Sequence, residues 1–409
     1  MSQEINRRDF MKRAALTTAG VSLAMSGLST RSVLGANDRI RLGVIGTGRQ
    51  GIDNMQNFMQ HGVEVAAVCD VYQPNLEKGL QAAGGKAKTY TDFRQLLDDK
   101  EIDVIINATP DHWHALPTVM ACQAGKDVYI EKPTAVAVEE SKKIVEAARK
   151  YKRVVQVGTW QRSNLHFQKA VQAVEDGMIG KVTFARTWNY SNIYPQGIGD
   201  RWSTFRYFYD YANGWLGDWC VHLLDIVHWA MKVDGPTAVM ASGAKFYLQD
   251  NSDTPDTLQV TFEYPTFICT YENRLVNANS MYGKGYGIEF HGTDGTLFVD
   301  REGFQVYPEK VQFEKKHLGR TPAMQMEQVN DGLLDHVANM LECMKTRKLP
   351  ASDIESGHRT SSATFLGTVA LRTKERLEWD VANERLTKGS AAAQKLLSRD
   401  YRAPWKLVV

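Results

Sequence analysis

Cysteine is scarce and scattered. Cys69, Cys122, Cys220, Cys269 and Cys343 are the five in 409 residues, and none stands in a C-x-x-C pair. Neither a disulfide framework nor a zinc knot is indicated, and each cysteine reads as a small buried apolar residue. Charge of one sign is lacking too, because 49 Lys and Arg against 47 Asp and Glu leave a formal net charge of +2. Nucleic acid and anionic membranes select a basic excess, so neither is an expected partner. A long apolar run is also missing. The nearest candidate, residues 14–28, is broken by Gly20, Ser22, Ser26 and Gly27, and no stable membrane span is expected. Internal repeats are absent. What remains, at 43% hydrophobic and 23% charged, is a soluble globular chain long enough for two domains or one large domain with an extension.

The first 36 residues read as separate from the fold. Asn6-Arg7-Arg8-Asp9-Phe10-Met11-Lys12 resembles a twin-arginine export signal, with the small-residue stretch 14–28 behind it. That route carries folded proteins with their cofactors bound, so a periplasmic or cell-envelope location is expected. Cleavage near Ala36 is poorly specified, since Leu34 is bulky where a small residue is usual. A disordered or amphipathic arm is the alternative.

From residue 38 onward, apolar strands alternate with helices, the pattern of a doubly wound parallel sheet. The run ending at Ile45 leads into Gly46-Thr47-Gly48-Arg49-Gln50-Gly51, a G-x-G-x-x-G turn that opens a helix, and a second buried strand ends at Asp70, 19 positions after Gly51. The chemistry is specific. Glycines let the backbone approach a pyrophosphate, the helix N-terminus offers it free N–H groups, and the carboxylate accepts from ribose hydroxyls. Later strands deliver Thr109-Pro110-Asp111-His112-Trp113-His114 and Glu131-Lys132-Pro133 to the same ligand-binding edge. This dinucleotide-binding domain spans 38–158. Beyond it, a helix at 163–175 precedes strands of period two at 181–189, 237–246, 257–264, 267–274, 287–291, 295–299 and 304–307, which predict a mostly antiparallel sheet. Helices at 332–346 and 356–371 lead to a polar tail. The overall expectation is α/β: a Rossmann sheet, then an α+β domain over 159–409 with an open, mostly antiparallel sheet.

Within the insertion at 191–233, a helix over 216–231 places Asp218, His222 and Asp225 at i, i+4 and i+7, on one face. A histidine there can take a hydroxyl proton while a carboxylate orients it. A buried polar network and a metal site are the other readings of the same three residues. Lys132 at the strand edge can polarise a reacting oxygen or be a solvated turn residue.

The five motifs in this order, Gly46-x-Gly48-x-x-Gly51, Asp70, Thr109-Pro110-Asp111-x-x-His114, Glu131-Lys132-Pro133 and Gly214-x-x-x-Asp218-x-x-x-His222-x-x-Asp225, resemble the glucose–fructose oxidoreductase / inositol dehydrogenase / MocA-like family. The resemblance runs from residue 38 to about 380. It implies a catalytic base at His222, a substrate-orienting acid at Asp218 and Lys132 on the reacting oxygen. It also implies that His114 lines the cofactor cleft, and that a homo-oligomer, dimer or tetramer, forms through the C-terminal sheet. Trp160, Gln161 and Arg162 follow the last Rossmann strand within reach of a nicotinamide or substrate, or else belong to a plain linker.

Aromatics crowd residues 188–219: Trp188, Tyr190, Tyr194, Trp202, Phe205, Tyr207, Phe208, Tyr209, Tyr211, Trp215 and Trp219. A few of these beside Asn189, Arg201, Arg206 and Asp210 would hold a sugar ring. Asn189, Arg206 and Tyr211, with Lys132, Asp218 and His222, are the expected substrate contacts. The cofactor expected is NAD rather than NADP, since Asp70 repels a 2′-phosphate and no arginine follows it directly. The expected activity is hydride transfer at a secondary hydroxyl of a sugar or glycoside, possible cases including a glycoside 3-dehydrogenase. A redox-assisted glycosidase and a non-catalytic cofactor-binding protein are the alternatives, and the intact Lys132, Asp218 and His222 weigh against the last.

Overall fold

The computed structural model describes residues 39–193, 204–280, 283–311, 316–317 and 321–409. The expected export segment lies outside the described residues, as do Tyr194, Arg201 and Trp202. Strands β1 (Arg41–Ile45), β2 (Glu64–Cys69), β3 (Lys88–Tyr90), β4 (Val104–Asn107), β5 (Asp127–Ile130) and β6 (Val155–Val157) form a parallel sheet in the order β3-β2-β1-β4-β5-β6. The central runs Leu-Gly-Val-Ile and Val-Ile-Ile-Asn are buried throughout, as a sheet covered on both faces requires. The strand order reverses between β1 and β4, so the segments that leave β1, β4 and β5 converge on the crevice where such sheets take ligands.

The second sheet has ten strands. It comprises β7 (Val182–Tyr190), β8 (Ala238–Ala244), β9 (Thr257–Glu263), β10 (Ile268–Arg274), β11 (Tyr286–Gly292), β12 (Gly295–Val299), β13 (Gly303–Pro308), β16 (Met324–Glu327), β17 (Leu377–Asp380) and β18 (Arg385–Lys388), with β14 (Lys310–Val311) and β15 (Lys316–His317) as a separate ribbon. All its pairings are antiparallel except β7 beside β10. Alternation is visible in the burial of β9 and β10, whose inward Leu258, Val260, Phe262, Cys269 and Tyr271 are buried. The expected polar tail is not loose: β17 and β18 finish the sheet edge. Farther on, Trp405 stacks on Phe93 at 5.7 Å, meets Trp113 edge-on at 5.2 Å and lies under the Arg94 guanidinium.

Two departures from the sequence reading matter for function. Residues Leu216–Cys220 form a π-helical turn, and the α-helix begins only at Val221–Met231. The helix Gly332–Thr346 also returns to the parallel sheet, where Val337, Met340 and Leu341 share a core with Leu42, Val44, Met55 and Phe58.

Candidate active site

The turn after β1 has the shape its glycines demand. Gly46 adopts φ +87°, and a Cβ there would lie 2.7 Å from the Ala108 and Thr109 backbone. A Cβ on Gly51 would lie 1.9 Å from the Gly46 carbonyl oxygen. Gly48 instead faces open space, with its nearest neighbour at 3.9 Å, and starts the helix Arg49–Gln60 with no side-chain cap. The first-turn N–H groups are thus left without a capping side chain where an anion would sit. Beside them Asp70 is fixed by the Thr47 backbone N–H (2.9 Å) and the Tyr72 N–H (2.9 Å), with the Thr47 hydroxyl at 3.4 Å. Gln50 donates to Asn54, and the Arg49 side chain is 95% exposed, its Nε 3.7 Å from Asp53. An uncapped helix start, a bare central glycine and a positioned carboxylate fit the pyrophosphate and ribose of a dinucleotide.

Asn54 carries the cradle into the reaction centre by donating to Glu131 Oε1 at 2.8 Å. The other Glu131 oxygen accepts from the Lys132 backbone N–H at 3.2 Å. Burial pushes the Glu131 carboxyl up, opposed by the Lys132 charge and the Asn54 bond. Lys132 Nζ reaches across to the π turn and donates to Asp218 Oδ1 at 2.5 Å and to the Asp218 carbonyl at 2.8 Å. Arg206 Nε lies 3.1 Å from the second Asp218 oxygen. Burial alone would raise the Asp218 carboxyl, but Lys132 and Arg206 hold it well below the usual carboxylate range.

His222 begins one turn later and is buried. Burial first, then the Lys132 and Arg301 charges, push its pKa well below the ordinary histidine value, so the ring is neutral and one nitrogen can accept a proton. Its Nδ1 has no hydrogen-bond partner. Among the described residues no carboxylate hydrogen-bonds His222, and Asp218 acts on it through its charge alone: the Asp218 oxygens are taken by Lys132 and Arg206, and Asp225 by Arg162, whose Nε and Nη2 lie 2.7 and 2.9 Å from its two oxygens. The cause is the π turn, which breaks the i, i+4 spacing that a continuous α-helix would give Asp218 and His222. The same bidentate pair, buried beside Trp229, engages the guanidinium of Arg162 that was expected to contact the cofactor.

The segment after β4 closes the site from above. Thr109 bonds Asn107 at 2.7 Å, Pro110 starts a 3-10 turn at Asp111–Trp113, and both ring nitrogens of His114 face carbonyls, Pro133 O at 2.5 Å and Thr109 O at 2.8 Å. Burial pushes His114 down to about 4, so the ring is neutral, donates its one N–H to one of these carbonyls and packs between the two loops as a wall. Asp111 is buried with Oδ2 unpartnered. Desolvation, opposed by Arg206, pushes it up to about 7. His112 donates its backbone N–H to the Tyr211 carbonyl and packs its ring 5.0 Å from the Tyr211 ring, which places Tyr211 behind this loop.

Asn189 is buried on β7 opposite Tyr286 and Asn273, with its Oδ1 unpartnered. It lies on the inward face of the sheet, without a direct contact to Lys132 or His222. Trp188 and Tyr190 point the other way, Trp188 stacked on Tyr190 and Phe298, with Arg186 over Trp188 and Arg274 over Tyr190, so these two of the crowded aromatics belong to the outer face. The aromatic wall near His222 comprises Trp219, 6.2 Å away, with Tyr286 and Trp160. Sequence reasoning missed Tyr286 and Arg301, which this wall brings together with the expected Gln161.

A Rossmann cradle joined at the edges of β4 and β5 to a lysine, a carboxylate and a neutral histidine defines the class as an NAD-binding oxidoreductase fold with a second α+β half. The chain belongs to the glucose–fructose oxidoreductase / inositol dehydrogenase / MocA family: its NAD-binding Rossmann domain matches residues 40–159 and its two C-terminal domains match 167–298 and 305–407. An inositol 2-dehydrogenase of Salmonella typhimurium is 28% identical over 229 residues, 54% of this chain and 61% of that protein. A glycosyl hydrolase family 109 protein of Shewanella baltica is 32% identical over 171 residues, 36% of this chain and 37% of that protein. The chain thus matches less than two thirds of the length of these curated relatives. Among solved structures, levoglucosan dehydrogenase in complex with NADH and levoglucosan superposes with a TM-score of 0.69 at 18% identity over 83% of this chain and 99% of that one. The WlbA dehydrogenase of Bordetella pertussis, in complex with NADH and UDP-GlcNAcA, gives 0.68 at 20% identity over 84% of this chain and 99% of that one.

Proposed function

We propose that this protein oxidises a secondary hydroxyl of a sugar or glycoside with NAD. The observation that carries the reading is the grouping of Lys132 and a neutral His222, whose Nδ1 is unpartnered, near Asp218, at the end of the sheet that also presents the glycine cradle. Bound NAD would supply the hydride acceptor at C4 of its nicotinamide. His222 takes the hydroxyl proton as the C–H bond breaks, and Lys132 stabilises the negative charge that grows on the same oxygen. Asp218, itself fixed by Arg206, holds the ammonium in place. Preference for NAD over NADP follows from Asp70, whose positioned carboxylate would face a 2′-phosphate. Tighter binding of NADP than of NAD would refute that preference.

The test is product analysis of the NAD-loaded protein with a panel of glycosides. A keto-sugar formed with stoichiometric NADH supports the dehydrogenase, and no redox change with any sugar would refute it. One observation favours a second reading: the similarity to a glycosyl hydrolase family 109 protein covers 171 residues. In that case C3 is oxidised only transiently, the glycosidic bond is lost by elimination, and free sugar appears without net NADH. Export through the twin-arginine route is part of the proposal. Arg7→Lys with Arg8→Lys should leave the folded protein in the cytoplasm, and unchanged export would sink it. A homo-oligomer through the ten-stranded sheet is proposed from Met240, Ile268 and Tyr307, which are 40, 44 and 48% exposed on it. A monomer in sedimentation at micromolar concentration would exclude it.

A further inference from the structure

Lys132 and Arg206 are paired with Asp218, and Arg162 with Asp225, which among the described residues leaves Arg301 as a further cation near the reaction centre to be accounted for. Arg301 sits in the turn between β12 and β13. Its guanidinium lies 4.8 Å from the Trp160 ring centroid, 5.1 Å from Trp219 and 5.2 Å from Tyr286. Among the described residues its polar partners are neutral: Nη2 is 3.4 Å from Gln161 Oε1, whose other bond comes from the Tyr286 hydroxyl at 2.7 Å. Arg301 Nε is buried with no partner at all. The adjacent Asp300 does not neutralise it, because that carboxylate faces Lys284 at 3.1 Å and caps the backbone N–H groups of Glu302 and Gly303.

A guanidinium walled by three ring faces has lost much of its water without gaining an anion. Cation–π attraction returns only part of that loss, and the planar fork with an unmade N–H bond is the geometry that receives a carboxylate. The place is informative as well. Trp219 touches both groups, its ring 5.1 Å from Arg301 and 6.2 Å from His222, so an anion at Arg301 and a hydroxyl at His222 lie within the compass of one sugar ring. The Arg301 charge also reaches His222, adding, after burial and Lys132, to what holds that ring neutral. The pyrophosphate cradle lies elsewhere, at the end of β1, so the cofactor's own phosphates do not account for Arg301.

We infer that Arg301 is a substrate-binding residue that receives a carboxylate carried on the sugar being oxidised, so that the preferred substrates are hexuronic acids or uronides rather than neutral sugars. Trp160 and Trp219 supply flat apolar walls to the ring, and Gln161 and Tyr286 hold the guanidinium in place. The inference rests on the oxidoreductase reading of the same site.

The experiment uses the full chain loaded with NAD. Tryptophan fluorescence and calorimetry would follow titration with glucuronate, galacturonate and mannuronate, each beside glucose, galactose and mannose, and with glucose 6-phosphate. At least one uronate should bind tenfold or more tighter than its hexose, the gain expected of a charge-assisted bidentate pair. Arg301→Gln should erase that difference, and Arg301→Lys should recover a part of it. In turnover the Arg301→Gln effect should fall mainly on KM. Equal binding of every uronate and its hexose overturns the inference without any variant, so misfolding of Arg301→Gln cannot shelter it. A preference that survives in folded Arg301→Gln, or tighter binding of the phosphate, overturns it too. NADH formed from neutral sugars with no uronate preference would leave the oxidoreductase reading standing and remove this one. Uronate-selective binding without any redox chemistry would do the reverse.

Discussion

At the residue scale, proton acceptor and oxygen polariser act on a single atom, which makes their losses non-additive. His222→Ala should keep fold and cofactor yet lose roughly 10²- to 10⁴-fold in turnover, the range for a positioned base. Lys132→Ala should be impaired in the same step, and the double variant should cost less than the two single losses multiplied. Turnover per folded, cofactor-loaded molecule decides the matter: near-normal turnover in His222→Ala removes it from the mechanism. Asp111 gives a different signal. Its carboxyl is raised to about 7 in the fold against 3.8 when exposed, so between those values the folded state binds the extra proton. Stability from this group is therefore complete below about pH 4 and declines as pH rises towards 7, by a total on the order of 4 kcal/mol. Asp111→Asn removes that decline. Melting temperatures at pH 5 and pH 8 should converge in the variant relative to the parent, and an unchanged difference would rule the assignment out.

At the element scale, the turn after β1 separates two roles that look alike in sequence. Gly51 cannot carry a side chain because a Cβ would strike the Gly46 carbonyl, whereas Gly48 has extended backbone and open space. Gly48→Ala should therefore melt like the parent but bind NAD at least tenfold more weakly, the added methyl standing where the pyrophosphate approaches. Unchanged affinity would mean that the ligand is not cradled there. This turn was legible because its chemistry is local, as was the parallel sheet from its apolar runs and β7 to β13 from their period of two. The helix Val221–Met231 was legible as a helix but not in its phase: with Val221 to His228 all buried, no polar stripe marks a face, and nothing in Leu-Gly-Asp-Trp-Cys announces a π turn. Strands β16 and β18 escaped because they are short edge strands with exposed or half-buried positions, and β17 because four residues are too few to reveal the alternation of its buried Leu377 and Trp379. Arg301 escaped for another reason. Its neighbours Asp300 and Glu302 make an ordinary charged turn, and its partner Gln161 is 140 residues away.

At the scale of the whole molecule, the division at residue 158 is a boundary of sequence pattern that the core does not respect. Val337, Met340 and Leu341 of the Gly332–Thr346 helix cover Leu42, Val44 and Phe58, on the face that β1 and the Arg49–Gln60 helix share. Burial of three such side chains contributes roughly 1.5–3 kcal/mol each, comparable to the whole stability of an ordinary domain at about 5–15 kcal/mol. The polar seam reinforces them. Arg347 grips Asp127 at the start of β5 through two bonds of 2.7 and 3.0 Å, Gln156 donates to the His336 carbonyl at 2.8 Å, and the Val157 N–H to the Ser352 carbonyl at 2.9 Å. Without that helix, Asp127 would be a largely buried carboxylate stripped of its cation, and three core side chains would face water. A fragment of residues 38–158 should accordingly lack a cooperative thermal transition and bind no NAD, while the full chain unfolds in one calorimetric step whose midpoint rises with added NAD. Deleting Arg347's charge alone, as Arg347→Met, should lower that single midpoint without splitting it. Two resolved transitions in the full chain, or a fragment that melts cooperatively and binds the cofactor, would show that the Rossmann half stands by itself and that the returning helix merely decorates it.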